Sequence, residues 1–212
     1  FFKEKGIQFV RPDSTRMPTD VLVAAGDEGD AKQGQYVELE ITQQPNRKSP
    51  ASGKIIQVLG DHMAPGMEID VAIRSHNIPH VWPSAVETEA KALAAEVLEK
   101  DKEFRVDLRK LPFVTIDGED ARDFDDAVYC EKKSSGKEGG WRLWVAIADV
   151  SHYVHPSSPL DLEAQLRGNS VYFPDHVIPM LPEALSNGLC SLKPDVDRLC
   201  MVSEMRISET GK

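Results

Sequence analysis

The sequence predicts a mainly β fold with some α-helix, in which a small β barrel precedes a mixed α+β segment. Short apolar runs separated by turn residues fill residues 1–83, which is typical of strands. Helical periodicity follows Pro83, and β-branched and aromatic residues return from Leu111 onward. We therefore expect a barrel domain over 1–83, a helical linker over 84–109 and the beginning of a second domain over 110–212.

The first region contains strands at the spacing of a small barrel. The predicted strands are Gly6–Val10, Asp20–Ala24, Tyr36–Ile41 and Gly53–Leu59. Lys5–Val10 is similar to the strand of the cold-shock domain whose aromatic residues stack on bases. That resemblance implies an OB-type five-stranded barrel that binds RNA, with Phe9 as a stacking residue worth ~1–3 kcal/mol per base. Ile7 stands where the cold-shock strand has an aromatic residue, and a core position for Phe9 is the alternative.

The linker is predicted to begin with a helix at Ser84. Ser84 and Glu87 have the spacing of a capping box, in which each side chain bonds a free N–H group of the first turn. Ala90, Leu93 and Val97 recur at helical spacing, whereas Glu and Lys fill the other positions. We assign this helix an architectural role.

The densest charge in the chain lies in residues 117–126, the acidic loop, where six carboxylates accompany one arginine. Like charges repel, so a fold that gathers them normally needs a cation, and Mg²⁺ prefers oxygen ligands. An EF-hand is excluded, because Arg122 stands at its sixth position and Val128 at its twelfth. A solvated loop is the alternative, but Ile116 and Phe124 give this loop apolar flanks that a solvated loop does not need.

The string Val-Thr-Ile-Asp-Gly-Glu-Asp-Ala-Arg-Asp-Phe-Asp-Asp-Ala-Val over residues 114–128 resembles the catalytic signature of the ribonuclease II family. Residues 141–150 and 185–192 extend the resemblance. It implies the N-terminal part of a ribonuclease II-type α+β catalytic domain that degrades RNA processively from the 3′ end with Mg²⁺. The catalytic and metal-binding residues implied are Asp117, Asp123, Asp125 and Asp126, here called the carboxylate set. The resemblance also places Tyr172 against RNA near its 3′ end, whereas a core tyrosine is the alternative.

Within the carboxylate set, Asp125 is expected to hold metal and orient the attacking water, while the other three bind metal. On extended backbone Asp123 and Asp125 would share a face and Asp126 would point away, so a local bulge or turn is needed. Arg122 is expected to neutralise the loop as an ion-pair partner, and Asp120 to lie outside the direct ligands.

The net charge of −10 is unusual for an RNA-binding protein. Residues 1–83 hold nine basic and eleven acidic side chains, and residues 84–212 hold sixteen and twenty-four. We therefore expect the basic surface that meets phosphates to lie largely outside this sequence. Its first and last residues suggest a piece of a longer protein, with little activity by itself. Three cysteines without CxxC spacing favour a reducing cytoplasm.

The function predicted is a Mg²⁺-dependent 3′→5′ exoribonuclease that releases nucleoside 5′-monophosphates in RNA degradation and quality control. Its expected substrates are single-stranded RNA and RNA with 3′ overhangs, and the full-length protein is expected to be a cytoplasmic monomer without membrane association. One alternative is a non-catalytic cold-shock-type RNA-binding module whose acidic loop is structural or binds Ca²⁺. Another is a metallohydrolase of some other phosphate ester, for which the barrel would be superfluous.

Overall fold

Strands form most of the regular structure in the residues that the computed structural model describes, which are 1–13, 17–61, 64–133 and 139–212. The chain divides into two units, Phe1–Ile78 and Pro79–Lys212. The strands are β1 (Phe2–Glu4), β2 (Ile7–Val10), β3 (Val21–Val23), β4 (Gln35–Gln43), β5 (Ser52–Asp61), β6 (Asp126–Lys133), β7 (Gly140–Ala148), β8 (Val171–Tyr172), β9 (Val177–Ile178) and β10 (Cys200–Ser208). The helices are α1 (Met67–Ser75), α2 (Ser84–Ala92) and α3 (Pro159–Arg167), with 3₁₀ turns at Glu99–Lys102 and Val150–His152 and a π turn at Leu185–Leu189.

The first unit is a five-stranded sheet in the order β1-β2-β3-β5-β4. Only the β3–β5 pair in this sheet is parallel. The outer strands are joined at their beginnings, because the Phe1 amino group donates to the Gln35 carbonyl at 2.8 Å and the Gly34 N–H donates to the Phe1 carbonyl at 2.9 Å. The sheet therefore curls into the five-stranded OB-type barrel that the sequence predicts.

Strand β1 was not predicted. It pairs with β2 through a two-residue turn in which Lys5 and Gly6 both have positive φ, 50° and 83°. Positive φ at both central residues defines the type I′ turn, whose twist suits a hairpin. The turn brings Phe2 opposite Phe9.

Alternation along β2 decides which side chains fill the barrel. Val10 lies opposite Val21, and both are buried, whereas Phe9 lies opposite Leu22 on the other face. One apolar cluster in this unit contains Phe1, Val10, Val23, Ala31 and Ile55. Phe9 is thus not a barrel-core residue, and the core alternative for it is wrong.

Helix α1 follows the barrel strands and was also not predicted. Its Arg74 side chain, 17% exposed, pairs with Glu38 of β4 at 3.2 Å and with Asp70 at 3.1 Å. An arginine this well covered fixes the helix against the strand through both its charge and its apolar stem.

Helix α2 begins at Ser84 as predicted, but the capping box is wrong. Pro83 occupies the N-cap position, and no side chain caps the helix. Ser84 therefore lies one position too far into the helix for its hydroxyl to meet the N–H of Glu87, whose carboxylate instead pairs with Lys91 at 3.1 Å. The helix ends at Ala92, because Leu93 is extended, so the apolar residues beyond it pack from a loop.

The core of the second unit lies between α2, α3 and the chain from 181 to 199. Its buried members are Val86, Val97, Ala148, Tyr153, Leu160, Leu181, Leu185, Leu189, Cys190 and Leu199. Helix α3, unlike α2, does have a side-chain N-cap: the Ser158 hydroxyl accepts a hydrogen bond from the Asp161 N–H at 3.3 Å.

The sheet of the second unit has the order β10-β7-β6, with antiparallel neighbours. The β-branched and aromatic residues from Leu111 onward would suit a strand, but only an isolated bridge forms there, between Val114 and Val128. Residues 134–140 (Ser-Ser-Gly-Lys-Glu-Gly-Gly) are predicted from the sequence as a flexible hairpin loop, and 134–138 lie outside the described residues. In the part of the chain that the structure covers, no helix is both long and apolar enough to span a membrane.

Candidate functional site

The acidic loop leaves and rejoins the sheet at one place. Val114 and Val128 exchange two backbone hydrogen bonds, of 2.9 and 2.8 Å, so the intervening residues form a closed excursion. Within it the Ala121 N–H donates to the Gly118 carbonyl at 3.0 Å, which makes a tight turn. The loop is thus closed by the bridge from Val114 to strand β6, and Asp126 is the first residue of that strand.

Its second half is fixed by hydrogen bonds to residues that are distant in sequence. The Phe124 N–H donates to the Ser191 hydroxyl at 3.1 Å, and the Phe124 carbonyl accepts from the Leu192 N–H at 2.9 Å. The Asp125 carbonyl accepts from the Ala148 N–H, at the end of β7, also at 2.9 Å. Asp123 and Asp125 therefore project from a backbone whose path is set by packing in the second unit.

The carboxylate set is gathered closely enough to interact electrostatically. The pKa of Asp125 is raised, first because the group is partly desolvated and then because Asp123, Asp126 and Asp117 repel its charge. The side chain of Asp125 still contacts solvent. The four residues named from the sequence thus share one electrostatic environment.

A complete metal cage is not formed by this arrangement. Among the described residues, no group of three or more His, Cys, Asp or Glu side chains is placed to hold a metal ion. The chemistry of the carboxylate set nevertheless fits a hard divalent cation, because all four donors are carboxylates and their mutual repulsion disfavours the charged form of Asp125.

Tyr172 of β8 lies beside the carboxylate set. Its hydroxyl donates to Asp123 Oδ2 at 2.8 Å, and this hydrogen bond is the main reason that the pKa of Tyr172 is raised. The residue is nevertheless 64% exposed, so the alternative of a core tyrosine is wrong. An exposed ring tethered by its hydroxyl offers an aromatic face next to the acidic loop.

Phe9 lies in the other unit and forms an aromatic pair with Phe2. The ring centroids are 5.3 Å apart and the rings are inclined by 19°. The Arg11 guanidinium lies 5.1 Å from the centroid of the Phe2 ring. Sequence reasoning missed Phe2, although the Lys5-Gly6 turn signal would have placed it opposite Phe9.

The role predicted for Arg122 in the acidic loop is wrong. Arg122 was expected to neutralise the loop, but its guanidinium makes no ion pair with any described residue. What Arg122 contributes is its carbonyl, which accepts a hydrogen bond from the Ser191 hydroxyl at 2.7 Å. The sequence predicts no role for Ser191; its only signal is that it lies within residues 185–192, which extend the family resemblance.

A barrel with a surface aromatic pair, followed by a sheet that carries clustered carboxylates, defines a cold-shock and RNB class of protein. Residues 9–83 match the cold shock domain, and residues 105–212 match the RNB domain. Because the RNB match covers half of the chain, the chain belongs to the RNB-domain family.

Within this family the chain is similar to ribonuclease R of several bacteria. It is 60% identical over 212 residues to ribonuclease R of Escherichia coli (strain K12), covering all of this chain and 26% of that protein. It is 52% identical over 215 residues to ribonuclease R of Acidithiobacillus ferrooxidans, covering 100% of this chain and 48% of that one. The chain thus spans only about a quarter to a half of these relatives.

Solved structures agree with this placement. Mycoplasma genitalium RNase R in complex with double-stranded RNA matches with a TM-score of 0.81 and 33% identity, covering 91% of this chain and 34% of that one. Yeast Ssd1, a pseudonuclease, matches with a TM-score of 0.67 and 18% identity over 97% of this chain and 26% of that one. At that identity the likeness concerns the fold alone.

Proposed function

We propose that this chain is part of a Mg²⁺-dependent 3′→5′ exoribonuclease that hydrolyses RNA processively to nucleoside 5′-monophosphates. The observation that carries the proposal is the fixed backbone at Phe124 and Asp125, which places Asp123 and Asp125 beside an exposed tyrosine and within electrostatic reach of Asp117 and Asp126. A merely solvated loop gains nothing from hydrogen bonds to such distant residues. The similarity to ribonuclease R supports a role in RNA degradation and quality control.

The same similarity supports single-stranded RNA and RNA with 3′ overhangs as substrates. We also propose that the full-length protein is a cytoplasmic monomer. Mycoplasma genitalium RNase R, a structural relative, has been captured with double-stranded RNA and with ribose-methylated single-stranded RNA. The acidic balance of this chain means that the cationic groups facing the phosphates must come largely from elsewhere in the protein.

The carboxylate set would hold Mg²⁺, directly or through water. A bound Mg²⁺ would supply an acidified water and relieve negative charge on the phosphoryl oxygens. The surroundings of Asp125 disfavour a bare negative charge, because the group is partly desolvated and three other carboxylates act on it. A nearby cation would therefore stabilise its charged form.

The protein's own residues position the reactants. Asp125 orients the attacking water by accepting a hydrogen bond from it, while Asp117, Asp123 and Asp126 complete the ligand set. The Tyr172 ring packs against a base near the 3′ end, and its hydroxyl bond to Asp123 keeps that ring next to the acidic loop. Stacking suits a processive enzyme, because every base presents an aromatic face.

The proposal is tested by Asp125→Asn in the full-length protein. The substitution removes a charge used mainly in the transition state, so we expect RNA cleavage to be abolished while RNA affinity stays nearly unchanged. Cleavage of 3′-labelled RNA and equilibrium binding measure the two effects. Asp120→Asn is the matched control, since it makes the same change in an exposed part of the loop and Asp120 is not among the carboxylates that act on Asp125.

Parental activity should persist in the control variant. Activity of Asp125→Asn within about tenfold of the parent would refute the assignment, because a group acting in the transition state should cost far more when removed.

A second candidate is a non-catalytic cold-shock-type RNA-binding module with a structural acidic loop. One observation favours it: the Phe2–Phe9 ring pair lies outside the barrel core. A full-length protein that binds RNA yet releases no nucleotide at any Mg²⁺ concentration would establish this alternative.

A further inference from the structure

Ser191 is a polar residue with no exposed surface, and it directly follows Leu189 and Cys190 of the apolar core. Its hydroxyl donates to the Arg122 carbonyl at 2.7 Å and accepts from the Phe124 N–H at 3.1 Å. These two peptide groups flank Asp123. One buried oxygen therefore bridges the backbone on both sides of a member of the carboxylate set.

The Ser191 backbone is itself held in place. Its carbonyl accepts from Arg198 Nε at 2.8 Å, and its N–H donates to the Gly188 carbonyl at 3.2 Å. It directly follows Cys190, which is 3% exposed, and precedes Leu192, whose N–H bonds the Phe124 carbonyl. Ser191 is therefore held by its own backbone bonds, and its hydroxyl in turn holds the acidic loop.

The hydroxyl group is chemically suited to this bridge. A serine oxygen can donate one hydrogen bond and accept another at the same time, which an alanine or glycine cannot do. Replacing it by a methyl group would leave the Phe124 N–H and the Arg122 carbonyl without their partner, and unpaired polar groups next to a core favour local rearrangement.

We propose that Ser191 is a positioning residue, whose hydroxyl sets the backbone path that carries Asp123 and Asp125 into the reacting geometry. This inference rests on the exoribonuclease function proposed above. Ser191 touches no substrate; it acts through the peptide groups of Arg122 and Phe124. A shift of reacting groups by ~1 Å can lower a rate by ~100-fold, so a loosened loop should be visible in turnover.

The experiment compares Ser191→Ala with Ser186→Ala in the full-length protein. Ser186 is a matched control, because its Oγ atom is buried nearby but has no hydrogen-bond partner among the described residues. We expect Ser191→Ala to lower kcat by ~10- to 100-fold with KM nearly unchanged. Ser186→Ala should retain the parental kcat, since it removes a hydroxyl that makes no bond.

A second measurement reports the loop without relying on activity. Hydrogen–deuterium exchange at the Phe124 and Leu192 amides should quicken in Ser191→Ala and stay parental in Ser186→Ala. Ser191→Thr keeps the hydroxyl, so it should bring kcat back to within about threefold of the parent if the bridge is what matters.

The outcomes separate the two proposals. Parental kcat or parental exchange in Ser191→Ala overturns the positioning role, as does an equal loss in both serine variants or a loss that simply follows the unfolded fraction. A parent that releases no nucleotide refutes the exoribonuclease and the positioning role together, while an exchange contrast between the two variants would show that the bridge itself is real.

Discussion

The two units complete their sheets in different ways. In the first, Phe1 joins the beginning of β4, so that the outer strands meet and the apolar faces turn inward. In the second, Met201, Ile147 and Asp126 form one row across three strands, and the two apolar members are 61% and 45% exposed. The barrel covers its own core, whereas the sheet face that carries Asp126 has apolar side chains in solvent.

That difference indicates which unit depends on further protein. Exposed apolar groups on one face of a sheet mark a surface that another element or molecule normally covers. The same face begins at the acidic loop, where the described carboxylates do not form a complete metal cage. We therefore expect the barrel to be the self-sufficient unit and the metal site at the acidic loop to need more of the protein to be completed.

The largest expected effect is the loss of activity in residues 1–212 alone. Without the groups that hold RNA in line for attack, we expect release of mononucleotides to fall at least ~100-fold below the full-length protein. Incubation with 3′-labelled single-stranded RNA and Mg²⁺ measures this directly. Processive release at a near-parental rate would show that the second unit is already complete.

The same preparation should associate through the open sheet. Sedimentation velocity is expected to show self-association that weakens in Met201→Lys, because a charge placed in the exposed apolar row opposes its burial. Equal association of the variant and the parent would place the contact elsewhere.

A smaller effect is expected in the barrel, from Phe9→Ala. Loss of one stacked ring should weaken single-stranded RNA binding by ~1–3 kcal/mol, roughly 5- to 150-fold, with kcat unchanged. Fluorescence anisotropy with short RNA measures it. Ile7→Ala is the control, because Ile7 is an exposed apolar residue of the same strand without a ring, and its loss should change affinity little. Equal losses of affinity in both variants would show that Phe9 contributes only apolar surface and that its ring does not stack on a base.

The barrel strands β2 to β5 could be predicted because alternation and turn residues are local signals. Strand β1 was missed because its three residues form a strand only through pairing with β2. The length of α2 was overestimated because Leu93 and Val97 are apolar at helical spacing, yet they pack from a loop against the core. In both cases contacts with other elements overrode the local pattern.

The candidate site shows the same limit. Its carboxylates could be named from composition and from a family resemblance, because the charges stand together in the sequence. The Ser191 bridge could not, since Ser191 and Phe124 are 67 residues apart and nothing local pairs a serine hydroxyl with a particular peptide group. Likewise, the bond between Tyr172 and Asp123 spans 49 residues.

The smallest expected effect concerns the Tyr172 hydroxyl, and it separates the ring from its tether. Tyr172→Ala should leave longer end products while the chemical step survives, because stacking positions the terminal nucleotides and performs no chemistry. Tyr172→Phe keeps the ring and loses only the bond to Asp123, so its end products should match the parent and its rate should change by less than about threefold, the size of one modest hydrogen bond. Electrophoresis of digests from both variants measures the two effects. Identical end products from Tyr172→Ala and the parent would show that the exposed ring does not contact RNA, and the aromatic contribution would then rest with the barrel.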